Sequence, residues 1–336
     1  MNQLMLRSLL FLTITASIVY SCKNEIPVTD EFSFPSKVIN KIIVEPSGVK
    51  WFATEKGVVS YNGTGWTSYT DDQKLTTGKV SDFIFERQSG ANKLWLGTNV
   101  GLSVFDFGGS LISIVNYSKK FPGLLADTVS ALGIDDRSVK YIGTSKGLSI
   151  LKSDKWDKFY GRTNEEILLR YKISSISTAT NGYIYAATQG GGVSRFKYTD
   201  AVSGATAFNK PWAWGLPSDT VYTVITDGIA QWYGTNRGVG YHSTEFTKSD
   251  WISYSRADGL VCDTVYAIAK DLSGNVWFGT QKGASKLSGD KWQNYTVKDG
   301  LVANKVNAIA VDVDGSLWFG TDNGISHFIN NQWMNF

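Results

Sequence analysis

The chain has 336 residues, 42% of them hydrophobic and 13% aromatic, with 34 glycines and only 6 prolines, a composition that supplies flat side chains and turns for packed sheets. The formal net charge is +3, or +2 without a leader whose one charge is Arg7, a balance that speaks against nucleic-acid binding and against polybasic membrane attachment. Two cysteines and two histidines provide neither a disulfide framework nor zinc-ligand spacing, so no metal and no cofactor is expected.

In chain order, Met1 to Cys22 carries Arg7 and then the apolar stretch Leu9 to Val19, too short to cross a bilayer as a helix and suited to a secretory leader. Its end, Val19-Tyr20-Ser21-Cys22, resembles the bacterial lipoprotein signal, in which an aliphatic residue three places and a small residue one place before a cysteine mark that cysteine for lipidation. Tyr20 departs from that pattern, and an ordinary cleaved signal with Cys22 incidental stays open. Lys23 directly after the cysteine favours the outer membrane in a Gram-negative cell. Residues 23–37 read as a polar tether, and residues 38–336 as one domain.

That domain is repetitive. An aromatic residue, an apolar residue, Gly or Ala, and Thr recur seven times, closing on Thr54, Thr98, Thr144, Thr188, Thr235, Thr280 and Thr321 at intervals of 44, 46, 44, 47, 45 and 41 residues. This spacing suits one four-stranded sheet per repeat and predicts an all-β, seven-bladed β-propeller of antiparallel blades. Each repeat opens on apolar residues three apart, such as Val80 and Phe83 or Val306 and Ile309. An Asp- and Gly-containing turn follows, then the strand with the aromatic-Gly-Thr core, then a tight turn onto a glycine. A fourth strand carries aromatic pairs such as Trp66 and Tyr69, Trp292 and Tyr295, or Trp333 and Phe336, expected to cover the rim and the seam to the next blade. Repeat two substitutes a strand from Leu111 to Tyr117, and repeat four is irregular up to Pro211-Trp212-Ala213-Trp214. Glu31 to Pro35 imitates the end of a fourth strand, leaving open whether it pairs on the last blade or caps the rim.

The stretches Gly259 to Gly283 and Gly300 to Gly324 share the pattern Gly-Leu, Val-x-x-Ile, Asp-x-x-Gly, Trp-x-Gly-Thr-x-x-Gly, which resembles the two-component regulator propeller repeat. The resemblance implies the extracytoplasmic sensing part of a bacterial regulator, often one responding to polysaccharides or oligosaccharides. The usual continuation into an immunoglobulin-like module, membrane helix and kinase does not follow Phe336, so the expectation is a binding propeller without an output domain. Its ligand would be an oligosaccharide or an envelope protein partner. It would be exported, a monomer, with membrane contact only through Cys22.

Propellers take ligands where loops converge on the central mouth. On that end the hairpin tips offer Lys56, Lys146, Arg237, Lys282 and Asn323, and Asn99 and Gln189 in other repeats. Taking the residue after the first valine of each repeat gives a channel ring of Ile39, Ser81, Ser130, Ser174, Tyr222, Tyr266 and Asn307. Phenol rings stack on apolar sugar faces while hydroxyls hydrogen-bond, so Tyr222, Tyr266 and Asn307 are the expected ligand contacts; a mere channel plug is the competing reading. The repeated Asp127-Thr128, Asp219-Thr220 and Asp263-Thr264 are expected to tie loops through backbone N–H groups, and Asp312 to Gly315 to be a turn, since a calcium loop needs a distal Glu.

Some seven-bladed propellers are lyases or sugar-cleaving enzymes, so catalysis is weighed. His242 and His327 fall in third strands, away from the expected mouth, and Cys262 has no histidine neighbour in sequence to make its thiolate. No catalytic residue is expected. A scaffold for envelope proteins is the alternative to ligand binding, and a lyase-like enzyme the third reading.

Overall fold

The computed structural model describes residues 32–70, 78–88, 91–106, 113–118, 123–159, 171–208, 215–228, 230–243 and 251–336. The leader with Cys22 lies outside them, as do Leu111 and Pro211 to Trp214. Phe34–Phe336 form one compact unit of seven four-stranded antiparallel sheets, each following chain order from its inner to its outer strand. Blade one is Ile39–Val44, Lys50–Thr54, Gly57–Tyr61 and Trp66–Tyr69; blade seven is Val306–Val311, Leu317–Thr321, Gly324–Ile329 and Gln332–Asn335. First strands of successive blades are neighbours around the ring, and the first strand of blade seven meets that of blade one.

The three-apart spacing in each first strand has a structural cause. Strict alternation would put Val80 and Phe83 on opposite faces, yet both are buried. The register steps from Val80 opposite Thr98 to Asp82 opposite Gly97, so Ser81 is the extra residue of a β-bulge. The same step skips Asn40, Ser130, Ser174, Tyr222, Tyr266 and Asn307 in the other blades.

The second strand explains the repeated aromatic-apolar-Gly-Thr core. Successive side chains face opposite sides, the aromatic residue toward the next blade and the apolar one toward the previous blade. Thus Trp232 packs edge-on against Phe278, Trp277 against Phe319 and Trp318 against Phe52, with ring centroids 5.7, 5.6 and 5.7 Å apart. Each such pair adds about 0.5–1.5 kcal/mol beyond the area it buries. Fourth-strand aromatics cover these tryptophans from outside: Tyr69 stacks on Trp51, Tyr254 on Trp232, Tyr295 on Trp277 and Phe336 on Trp318. Blade two keeps the arrangement with Tyr117 on Trp95.

Where the core carries glycine and not Ala53 or Ala187, the glycine is a steric requirement. A Cβ on Gly97, Gly143, Gly279 or Gly320 would stand 2.6–2.7 Å from a methyl of Val129, Ile173, Val306 or Ile39, the first-strand anchor of the following blade. The closing threonine is fully buried and fully used. In blade seven, the Thr321 hydroxyl donates to the Gly324 carbonyl at 2.8 Å and accepts the Asn323 N–H at 3.1 Å.

Ring closure uses contacts that recur at other seams. Besides the Trp318–Phe52 and Gly320–Ile39 contacts, the Gly324 N–H donates to the Lys37 carbonyl at 2.7 Å, as Gly238 does to Asp263. Phe34 packs edge-on against Trp66 at 4.9 Å. It occupies the place that Leu301 holds in blade seven, so Phe34 and Pro35 cap the rim of blade one instead of adding a strand to the last blade. The stretch from Phe34 to Lys37 therefore packs with the ring, although the sequence suggests tether up to Lys37.

The lower turns tie to the same tryptophans. The Asp271 carboxylate accepts the Ser273 and Asn275 N–H groups at 3.0 and 2.9 Å and the Trp277 indole N–H at 2.9 Å. Asp312 accepts the Trp318 indole at 2.9 Å and, across the closing seam, pairs with Lys50 at 2.7 Å. Glu86 does likewise with Trp95 and with Lys140 of blade three. The His327 ring stacks on Trp318 at 4.0 Å and its Nε2 lies 2.8 Å from the Ser316 hydroxyl.

Two outcomes test this packing. Gly320→Val, which forces side-chain atoms onto Ile39 at the closing seam, should lower stability by about 1–3 kcal/mol in urea unfolding. Gly65→Ala, where a Cβ meets nothing within 4 Å, should leave it nearly unchanged; equal effects would contradict the seam account. Burial holds the His327 pKa below its ordinary value despite Asp314 and Asp312, so just below the ordinary value the unfolded chain binds the proton more readily than the fold. Stability from His327 is then complete above about pH 6.5 and lost as pH falls below it. His327→Gln should flatten the stability difference between pH 7.5 and pH 5, and an unaltered slope would contradict the assignment.

Candidate functional site

Hairpin tips and first-strand starts share one end of each blade. The Asn99, Gln189, Gln281 and Asp322 N–H groups bond the carbonyls of Lys79, Lys172, Thr264 and Lys305 at 3.0–3.3 Å. The seven bulge residues lie at this end, because a bulged residue is released from strict in-out alternation. In blade one that residue is Asn40. Ile39, placed in the channel ring by the sequence, is instead fully buried as the anchor under Gly320. The phase fails there because Val38, not Ile39, is the first valine of that repeat.

The end opens into a cavity of about 420 Å3 that includes Asn40, Ser81, Ser130, Ser174, Tyr222, Tyr266 and Asn307 in its lining. Tyr222 and Tyr266, from adjacent blades five and six, stand with ring centroids 5.0 Å apart and planes tilted by 55°. Among the described residues neither phenol hydroxyl has a hydrogen-bond partner. Burial, with Tyr222 next to it, pushes the Tyr266 pKa above its usual value, so Tyr266 is a neutral donor at physiological pH.

The serines act differently from the expectation of a hydroxyl ring facing a ligand. The Ser130 hydroxyl donates to the Ile173 carbonyl at 2.5 Å, and Ser174 donates to the Val221 carbonyl of the next blade. Asn40 donates to the Val80 carbonyl at 2.9 Å. These groups join neighbouring first strands, and their protons point into the ring wall.

Three further residues line the cavity and were not singled out in the sequence: Lys79, Lys172 and Lys305, each immediately before a first-strand anchor. The signal is a thrice-repeated triplet, Lys-Val-Ser at 79–81, Lys-Ile-Ser at 172–174 and Lys-Val-Asn at 305–307, hidden when reading begins at the valine. Lys79 pairs with Glu55 at 3.1 Å. Neither Lys172 nor Lys305 is ion-paired among the described residues, although Glu55 and Asp322 share the cavity. Partial desolvation, then repulsion from Lys79, holds the Lys172 pKa below its ordinary value. Lys305 lies over the Tyr266 ring, 5.4 Å from its centroid.

Lys56, Lys146, Arg237, Lys282 and Asn323 are exposed at the hairpin tips and are not part of the cavity lining; their N–H groups cap the buried threonines. Asp263 follows the structural expectation, its carboxylate accepting the Arg256 N–H at 2.7 Å. His242 and His327 are buried in third strands, and Cys262 is buried 7% exposed beneath the upper loops; none of the three lines the cavity. A second cleft of about 310 Å3 between blades two and three is lined by Glu86, Lys140, Lys93 and Asp106, whose charges are paired with one another.

Residues 300–323 match the family described as two component regulator propeller. A comparison with curated proteins finds no match. Among solved structures, the extracellular domain of the one-component system BT4673 from B. thetaiotaomicron superposes with a TM-score of 0.69 at 19% identity, covering 87% of this chain and 38% of that one. Streptogramin B lyase gives 0.68 at 13% identity, covering 91% of this chain and 96% of that one. PorZ, a surface component of the type-IX secretion system of Porphyromonas gingivalis, gives 0.54 at 16% identity, covering 90% and 48%. At these identities the likeness is one of fold. The chain spans less than half the length of the BT4673 and PorZ structures. Residues 300–323 match the two-component regulator propeller repeat, and the chain from Phe34 onward is a seven-bladed propeller.

Proposed function

We infer that the protein is an exported binding propeller that captures a polar ligand of oligosaccharide type at its central mouth. The observation that carries this reading is the Tyr222–Tyr266 pair, two half-buried rings with unpartnered hydroxyls at the wall of an open cavity. A channel plug would bury its rings against each other and satisfy or hide its polar tips. Rings left half-open with an available donor suit a ligand that has both an apolar face and hydroxyls, as a sugar ring does. The likeness to an extracellular domain supports export, and the repeat supports a sensing or binding role over turnover.

An anchor at Cys22 would hold this propeller at the cell envelope. The scaffold reading draws on one observation: Leu272 and Val313, at 73% and 59% exposure, stand out on the lower turns of adjacent blades six and seven. They offer a partner protein an apolar foothold on the face away from the mouth.

Tyr222→Ala and Tyr266→Ala should each weaken binding of a recognised oligosaccharide roughly tenfold or more, about 1.4 kcal/mol, measured by calorimetry. Unchanged affinity in the double variant would remove the mouth as the site. Cys22→Ser should move the protein from the membrane fraction to the soluble exported fraction, and retention in membranes would contradict lipid anchoring.

A further inference from the structure

Ring order places the mouth's charges relative to its aromatic pair. Tyr222 and Tyr266 belong to blades five and six; Lys172 comes from blade four and Lys305 from blade seven, so one lysine stands on each side of the pair. At the bulge positions, blades two to four contribute the small side chains of Ser81, Ser130 and Ser174, while Lys79 and Gln189 also line the cavity on that side. The donors are equally asymmetric. Ser130, Ser174 and Asn40 direct protons to backbone carbonyls of neighbouring blades, so what they leave toward the channel is chiefly acceptor oxygen. Lys79 is engaged by Glu55. The strong donors left for a ligand are the two unpaired ammonium groups and the two phenols.

An ammonium that is partly desolvated and unpaired gains most from an anionic partner, since such a hydrogen bond is charge-assisted at both ends. The crowding of Lys172 by Lys79 acts in the same sense, because an anion between them relieves their repulsion. We propose that the ligand is an acidic oligosaccharide, with a sugar ring on the Tyr222–Tyr266 pair and its carboxylate or sulfate groups held by Lys172 and Lys305. This proposal rests on the mouth being the binding site. It adds that charge, and not only sugar shape, selects the ligand.

The test uses four probes with the purified protein: trigalacturonate, its methyl ester, a sulfated galactan tetrasaccharide and neutral galactotetraose. At least one acidic probe should bind, and whether it is the carboxylated or the sulfated one identifies the anion. Methyl esterification should weaken trigalacturonate at least tenfold if carboxylate is that anion. Lys172→Gln and Lys305→Gln should each weaken the bound acidic probe about tenfold to a hundredfold and reduce its salt dependence. Lys291→Gln, on a fourth strand, should not. A neutral or esterified probe binding as tightly as the acidic ones would overturn the selection by charge while leaving the mouth as the site. Acidic binding that survives both lysine substitutions and the loss of Tyr222 would overturn the mouth reading as well, and failure of both acidic probes to bind would overturn the proposal.

Discussion

The structure depends on a close approach between consecutive blades: the small second-strand residue of one and the first-strand Val or Ile of the next. At Gly97, Gly143, Gly279 and Gly320 a Cβ would stand 2.6–2.7 Å from that neighbour, and blades one and four hold alanine, Ala53 and Ala187, at the same position. Everything further out follows from that spacing. In blades six and seven, Trp277 and Trp318 reach the next blade's phenylalanine, a fourth-strand ring covers each, and Asp271 and Asp312 accept their indole N–H groups. Because a blade's faces are buried only by its neighbours, the closing seam must be as well made as the others. Gly320 on Ile39, Trp318 on Phe52 and Asp312 on Lys50 meet that requirement.

The same first strand that fills the neighbour's glycine notch also furnishes the channel wall, and two adjacent residues cannot do both under strict alternation. The bulge resolves the conflict by releasing one residue per blade toward the mouth. Those seven positions are freed from packing, which is why they differ between blades while the anchors beside them stay Val or Ile. Two of the seven are tyrosines, and the residues just before the anchors add lysines on either side of them. The frame is uniform and the mouth is not.

Much of the frame was legible in the sequence because it repeats. The core of an aromatic residue, an apolar residue, Gly or Ala, and Thr recurs in every blade with a glycine after it, so its spacing marks blade number and strand order. The three-apart apolar residues also identified the first strands, although the bulge behind that spacing was invisible. Tyr222, Tyr266 and Asn307 line the mouth cavity, whereas Ile39 was off by one because Val38 took the anchor's place in the count. Lys172 and Lys305 escaped notice since the pattern was read from the valine onward. The hairpin-tip cations Lys56, Lys146, Arg237 and Lys282 drew attention by recurrence, yet recurrence there reflects exposed positions next to a buried threonine. Phe34 was ambiguous because blade one uses Phe where blades three, five, six and seven use Leu after Gly, and its contact with Trp66 resolves its role.

The most direct measurement of the central claim is a crystal structure of the protein with a bound acidic oligosaccharide. The account predicts a sugar ring in van der Waals contact with Tyr222 or Tyr266 and an anionic group within hydrogen-bond distance of Lys172 or Lys305. A ligand seated instead on the lower face or in a seam between blades, with the mouth empty, would contradict it.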